Sequence, residues 1–276
     1  MGRFVGDFGS GSPEARRSGG PADLAVSVLS LIASDDVSAN ASQLKAGLID
    51  AVRAGARVVV APECALVGYP SAVREGLAGI DWCALAEHED ALLMTAERLG
   101  VLFVFGSAGP ISGGFGNVAV AGGVVAPVRY AKRFLTPIDE RCFVPGQATA
   151  TIDAFGWRFG LGICFDLRFP AHWAALAQAG ADAFLVPSHM AGPDPDPGTK
   201  AVVIPALCIA RAAELATPLV FANTAAPDRW ADAAIHDVRG IAIVSGTGTL
   251  HATLRHRNAW DPWYAAIHRR AVNQGM

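Results

Sequence analysis

The stretch GLGICFDLRFP, residues 160–170, decides how the chain is read. An apolar run typical of a buried strand (WRFGLGIC, 157–164) stops at Cys164, and an aspartate and an arginine follow within four positions. A thiol used only for packing sits inside such a run, because free cysteine behaves as a small hydrophobe. Cys164 instead stands where the apolar segment gives way to polar chemistry. In α/β proteins such strand ends carry the functional groups, since loops there vary while the sheet holds their bases rigid.

Working outward, the same rhythm recurs along the 276 residues. LAVSVLSLIA (24–33) reads as a strand, 39–55 as a helix closed by Gly55, and RVVVAPE (57–63) as a strand ended by Pro62. The segment 81–100 predicts a helix with Asp81 as N-cap and Gly100 as its stop. Strands are expected at 101–107, 115–123 and 124–132, the last two as a hairpin turning near Gly122 and Gly123. The second half repeats the alternation: helix 170–180, strand 181–188, helix 199–216 broken near Pro205, strand 218–224, and two strands within 239–257. AGPDPDPG (191–198) reads as a surface loop. The expectation is one α/β domain over 23–257, a flexible leader at 1–22, and a C-terminal tail at 258–276.

Composition narrows the function classes. The chain is 52% apolar and 17% charged, which fits a compact globular protein. A net charge of -3 gives no reason to expect nucleic acid or an anionic membrane as a partner. No apolar run approaches the roughly 18 residues that span a bilayer. The five cysteines are scattered without C-x-x-C spacing and the seven histidines form no H-E-x-x-H, so neither a metal site nor a redox pair is expected. The reading is a cytoplasmic chain with free thiols. GLGICF and GTGTLH each begin G-x-G but lack the third glycine of a dinucleotide-binding turn, which removes the oxidoreductase alternative.

Two further strand ends carry charge: Glu63 in VVVAPECALVGYP, and Lys132 with Glu140 in VRYAKRFLTPIDERCFVPGQ. Singly, each has a bland reading as a solvated loop group. Together their flanks, P-E-x-x-x-x-G-Y, K-x-x-L-x-P-x-x-E-x-x-F-x-P-G and G-I-C-F-D-x-R-F-P, resemble the nitrilase superfamily of carbon–nitrogen hydrolases, in its order and at its approximate spacing. The resemblance runs from about residue 24 to 250 and takes in RAAE (211–214) and FANT (221–224).

That resemblance implies an α-β-β-α sandwich and a Glu63–Lys132–Cys164 site needing no cofactor and no metal, with Glu140 matching a second glutamate that orients the site. The branch it implies cleaves small linear amides, ω-amides or N-carbamoyl compounds, because C-F-D replaces the C-W-E associated with nitrile-cleaving members. The small-molecule amide would be the partner, with a homodimer or larger homo-oligomer, its tail at a subunit interface. The thiolate is expected to be favoured by the neighbouring cation. Arg168, Phe165, Tyr69, Ser188 and His189 are the expected pocket residues, Arg168 either receiving a substrate carboxylate or pairing with a structural carboxylate such as Asp166. Departures from the pattern are Phe134 where histidine is usual, Ala171 in place of glutamate, and Leu215 in place of asparagine. They leave open a silent scaffold subunit or an acyl-transferring relative.

Overall fold

The computed structural model describes residues 20–69, 76–192 and 199–273. The whole PDPDPG end of the expected surface loop, and most of the leader, lie outside them.

Among the described residues, twelve strands form two six-stranded sheets. The first has the order β12–β1–β2–β3–β4–β5, from β1 (Leu24–Ser30), β2 (Val58–Val60), β3 (Leu102–Ile111), β4 (Gly114–Gly123), β5 (Val128–Ala131) and β12 (Gly248–Leu254). The second has the order β11–β10–β9–β8–β7–β6, from β6 (Ala150–Ala154), β7 (Trp157–Leu161), β8 (Ala183–Pro187), β9 (Leu219–Ala222), β10 (Ala233–His236) and β11 (Ala242–Gly246). Each sheet has a parallel centre, β1–β2–β3 in one and β7–β8–β9 in the other, flanked by antiparallel strands.

The pleat explains the layering. Val58 and Val60 belong to the core between the sheets, whereas Val59 packs with Leu44, Leu48 and Leu92 under the helices. Leu102 and Val104 alternate with Phe103 and Phe105 in the same way. Strands buried on both faces read as unbroken apolar runs, as these do. Full burial of each such side chain contributes roughly 1.5–3 kcal/mol. Helices α1 (Val37–Arg53) and α2 (Trp82–Leu99) cover the first sheet. Helices α3 (Pro170–Gln178) and α4 (Lys200–Glu214) lie on the second, and α5 (Pro262–Asn273) packs against α3 and α4. The result is the expected α-β-β-α sandwich in one domain.

Local signals account for the helix ends. Asp81 accepts from the backbone N–H groups of Cys83 and Ala84, and Gly100 closes α2 in the left-handed region at φ 69°. One expectation is corrected: Pro205 lies inside α4 without ending it. The expected β4–β5 hairpin is present, with its link at 124–127 just after Gly122 and Gly123, and a tighter hairpin joins β3 to β4. β6 and β10 were not foreseen. The tail forms α5, whose His268 is buried with Nδ1 2.7 Å from the Leu215 carbonyl, a contact with its own chain that does not bear on the expected subunit interface.

Candidate active site

Glu63 follows β2, Lys132 follows β5, and Cys164 follows β7, so the first sheet contributes two of these groups and the second contributes the third. Ser188 and His189 follow β8 and Asn223 follows β9, in the same sheet as Cys164. The structure brings the first three together in a buried cluster: Glu63 is 1% exposed, Lys132 0% and Cys164 4%.

Lys132 Nζ donates to Glu63 Oε1 at 2.7 Å and to Asp139 Oδ2 at 2.8 Å. The Glu63 carboxylate is held further by Asn117 Nδ2 on Oε1 (2.7 Å) and by the His189 backbone N–H on Oε2 (2.8 Å). The Cys164 thiol lies 3.8 Å from Met190 Sδ, buried close enough to that carboxylate to feel its charge. Met190 is itself fixed by its N–H to Asn223 Oδ1 at 2.7 Å.

Two loops enforce this geometry. After β2 the chain turns sharply, with Cys64 at φ 48°, and is pinned to β3 by Gly106 N–H to the Pro62 carbonyl and Leu66 N–H to the Gly106 carbonyl, both 3.0 Å. A Cβ at Gly106 would lie 2.1 Å from Cys64 N, so only glycine lets β3 pass beneath Glu63. Cys164 also has φ 48° and starts a short 3-10 turn to Arg168. A left-handed residue with a Cβ costs about 1–2 kcal/mol, which the surrounding bonds must offset. Asp166 supplies them. Its Oδ2 accepts from Ile163 N–H (2.8 Å) and Tyr130 OH (2.7 Å), and its Oδ1 accepts from Phe134 N–H (3.0 Å). Arg211 Nε donates to the Leu167 carbonyl at 3.1 Å while Nη1 pairs with Glu214, giving RAAE its physical role in bracing the turn.

Electrostatics correct one expectation. The Cys164 thiol is pushed well above its ordinary value, by burial first and then by the Glu63 charge, with Lys132 opposing too weakly to reverse them. The resting sulfur is therefore a neutral thiol and not a cation-stabilised thiolate. Burial also raises Glu63, which Lys132 only partly offsets. For Lys132 burial disfavours the charge, but Glu63 above all, together with Asp139, outweighs it and holds the ammonium far above its usual range. Asp139 is depressed despite burial, because Lys132, Thr136 N–H and Tyr69 OH all bind its charged form.

Glu140 does not join this cluster. It is exposed at the rim of a neighbouring cavity, and its predecessor Asp139 takes the place expected of it, accepting from Lys132, from Tyr69 OH at 2.9 Å and from Thr136 N–H at 2.9 Å. The cause is local: the 3-10 turn Asp139–Arg141 aims the first of the two acids inward. Tyr69 thus braces Asp139, and its ring stacks on His189 at 4.7 Å. Burial holds His189 down at about 4, so it is neutral near pH 7. Ser188 is fully buried and its carbonyl accepts the Glu63 N–H at 3.3 Å. Phe165 and Arg168 lie together, the guanidinium 5.6 Å from the ring centroid. Asn117 and Asp139 were not anticipated. Asn117 occupies an apolar-looking strand, and only its polarity amid FGNVAVAGG marked it. Among the described residues no group of three or more His, Cys, Asp or Glu side chains could hold a metal ion, and no helix is long and apolar enough to cross a membrane.

This sandwich with an acid, an ammonium and a thiol buried where its two sheets meet defines a class. The carbon–nitrogen hydrolase family model matches residues 25–254, and the chain belongs to that family, within the nitrilase superfamily. A Pseudomonas (R)-stereoselective amidase is 35% identical over 99 residues, which cover 34% of this chain and 35% of that relative. The alignment therefore spans about a third of the relative's length. A crystal structure of an amidase from Nesterenkonia sp. superposes with a TM-score of 0.73 at 23% identity, covering 94% of this chain and 99% of that one. A variant of that amidase carrying acrylamide by Michael addition at its active-site cysteine gives 0.73 at 22% identity, covering 90% and 99%. At this identity both establish the fold.

Proposed function

We propose that the protein is a cysteine-dependent amidohydrolase that cleaves a non-peptide C–N bond of a small linear amide through a thioester. One observation carries the reading: an acid, an ammonium and a thiol from three strand ends are buried together, the ammonium hydrogen-bonded to the acid and the acid's charge felt by the thiol. The amidase relative and the family membership support it.

The chemistry follows from the protonation states. Cys164 starts as a thiol and Glu63 as a carboxylate whose proton affinity is raised, so proton transfer from Sγ to Glu63 accompanies attack on the carbonyl carbon. Two of the three Lys132 N–H donors are occupied by Glu63 and Asp139. The third, with a backbone N–H beside Cys164, stabilises the oxyanion, where loss of one donor typically costs about 10²–10³ in rate. Glu63 then protonates the departing nitrogen. The acyl thioester remains until Glu63 deprotonates a water that attacks it, which regenerates the thiol. Asp139 acts through Lys132, fixing its position and charge. Arg168, beside Phe165, is the group suited to a carboxylate on the substrate.

The five free cysteines support a reducing compartment such as the cytoplasm, and the exposed Ile241, Ile243 and Trp263 support self-association. The test is a panel of ω-amides, N-carbamoyl amino acids, simple amides and nitriles, assayed for ammonia or amine release. At least one member is turned over, Cys164→Ala abolishes turnover, and intact mass detects the acyl adduct on the wild type. Turnover that survives Cys164→Ala removes the assignment.

A further inference from the structure

Asn117 stands in β4 just before the buried apolar residues Val118, Ala119 and Val120, and is itself 1% exposed. Burying an amide there is unfavourable unless it is hydrogen-bonded. Its Nδ2 donates to Glu63 Oε1 at 2.7 Å, while among the described residues Oδ1 has no hydrogen-bond partner. The bond to Glu63 is therefore what this side chain contributes, and the carboxylate, an acceptor, fixes which end of the amide faces it. The Asn117 carbonyl also accepts the Lys132 N–H at 2.8 Å, so one residue sets both the acid and the ammonium. The two oxygens of Glu63 are loaded differently. Oε1 accepts from Lys132 Nζ and Asn117 Nδ2, both at 2.7 Å, which occupies its two lone pairs. Oε2 accepts the His189 backbone N–H at 2.8 Å, and among the described residues its other lone pair stays open to the thiol. The sulfur meets that same segment: Met190, next after His189, has Sδ 3.8 Å from Cys164 Sγ.

We infer that Asn117 is a positioning residue that closes Oε1 to the proton, which makes Oε2 the atom of Glu63 that receives it from Sγ. The inference rests on the amidohydrolase reading and names the atom through which its acid works. The Sγ–H bond breaks as sulfur bonds to the carbonyl carbon, the carbonyl π pair moves onto oxygen, and the proton joins Oε2. When the carbon–nitrogen bond breaks, that proton passes from Oε2 to the departing nitrogen. Lys132 and Asn117 grip Oε1 throughout, so the carboxylate keeps one orientation for both transfers.

The experiment removes the donor in two ways: Asn117→Leu, close in size, and Asn117→Val, which favours a strand. Glu63 is titrated through the infrared band of its protonated carboxyl group, with Glu63→Gln as the blank, and kcat/KM is followed against pH on the amide turned over best. Each variant loses a hydrogen bond that favours the charged form, so the titration moves up by about 1–2 pH units and the acid limb of kcat/KM follows it. On the plateau kcat falls by about tenfold or more, because the freed Oε1 competes for the proton on the side away from sulfur. The groups whose charges Glu63 meets, Lys132, Asp139, Cys164, Cys64 and Tyr69, are the same in wild type and variants. His189 meets it through the backbone N–H, and its ring is neutral near pH 7. A side chain that only filled space would change the unfolding temperature and leave the limb in place. A Glu63 titration that is unmoved or lowered, or a shift without loss of kcat, overturns the inference. The infrared titration needs no turnover, so a wild type that cleaves no amide removes the hydrolase reading while the Glu63 shift still decides the role of Asn117.

Discussion

Replacing Asp139 by asparagine and, separately, Glu140 by glutamine tests which acid belongs to the site. Asp139 is fully buried and its charge is met by three donors within 2.8–2.9 Å: Lys132 Nζ, Thr136 N–H and Tyr69 OH. Hydrogen bonds to a charged group contribute about 1.5–3 kcal/mol each, and removing one member of a buried ion pair costs about 3–5 kcal/mol. Asparagine keeps the shape and one acceptor, and Lys132 keeps Glu63, so the lower part of that range applies: about 2–4 kcal/mol. At roughly 2–4 °C per kcal/mol for a domain of this size, thermal unfolding moves down by about 4–16 °C. Glu140→Gln, at an exposed position, stays within about 0.5 kcal/mol. The pH dependence gives a second check. Asp139 is depressed in the folded state, so its contribution is present above the unfolded carboxylate value near 3.9 and is lost as pH falls through the lower folded value. The wild type and Asp139→Asn therefore converge only below the ordinary carboxylate range. Calorimetric scans between pH 7 and acid measure both effects. Equal losses in the two variants, or a larger one in Glu140→Gln, would falsify the placement of Asp139.

Other outcomes follow from the same geometry. Because the Glu63 charge raises the Cys164 thiol, Glu63→Gln lowers it, so iodoacetamide alkylates Cys164 several-fold faster at pH 8 in that variant while amide turnover falls by about 10²–10⁴; slower alkylation would contradict the sign. In the wild type the alkylation rate keeps climbing past pH 9, with no plateau near the free-cysteine value of about 8.5. Gly106→Ala places a methyl 2.1 Å from Cys64 N and 2.5 Å from Glu63 C, both backbone atoms, and costs about 3 kcal/mol or more by urea denaturation; a shift below 1 kcal/mol would show that the loop yields. Asp166→Asn leaves one of its acceptor positions as a donor facing Ile163 N–H, Tyr130 OH or Phe134 N–H, lowers stability by about 2 kcal/mol, and slows turnover with a change in kcat rather than KM alone.

The sheet and the site were legible in the sequence to different depths. Apolar runs such as RVVVAPE and ADAFLVPS announce themselves because both faces are buried, and Asp81 with Gly100 bracket α2 through chemistry confined to a few residues. β10 (Ala233–His236) is four residues without a strong pattern, and its identity comes from pairing with β9 and β11. Pro205 reads as a breaker on local rules, yet tertiary packing of α4 around Ile204 and Cys208 carries the helix through it. Residue types alone could nominate Glu63, Lys132 and Cys164. They could not separate Asp139 from Glu140, since one residue of phase in a 3-10 turn decides which acid faces Lys132. Nor could they supply the state of the thiol, which depends on how completely the sulfur is buried beside two carboxylates.

That dependence on burial has a consequence for what holds the site together. The acid and the cation hang from one sheet and the sulfur from the other, and the links across the gap are few: Glu63 N–H to the Ser188 carbonyl, the His189 N–H to Glu63 Oε2, and Asp166 to Tyr130 and the Phe134 N–H. The distance between Glu63 and Cys164 is therefore set by the thickness of the side-chain layer between the sheets, where Val58, Val60, Leu102 and Val104 meet Phe159, Leu161, Phe184 and Val186. Native density in that layer leaves no slack, and a lost methylene propagates as a shift of one sheet on the other. A substitution such as Val60→Ala touches none of the reacting groups. It still alters the one separation on which proton transfer from Sγ depends, so its effect on turnover exceeds what its cost in stability accounts for.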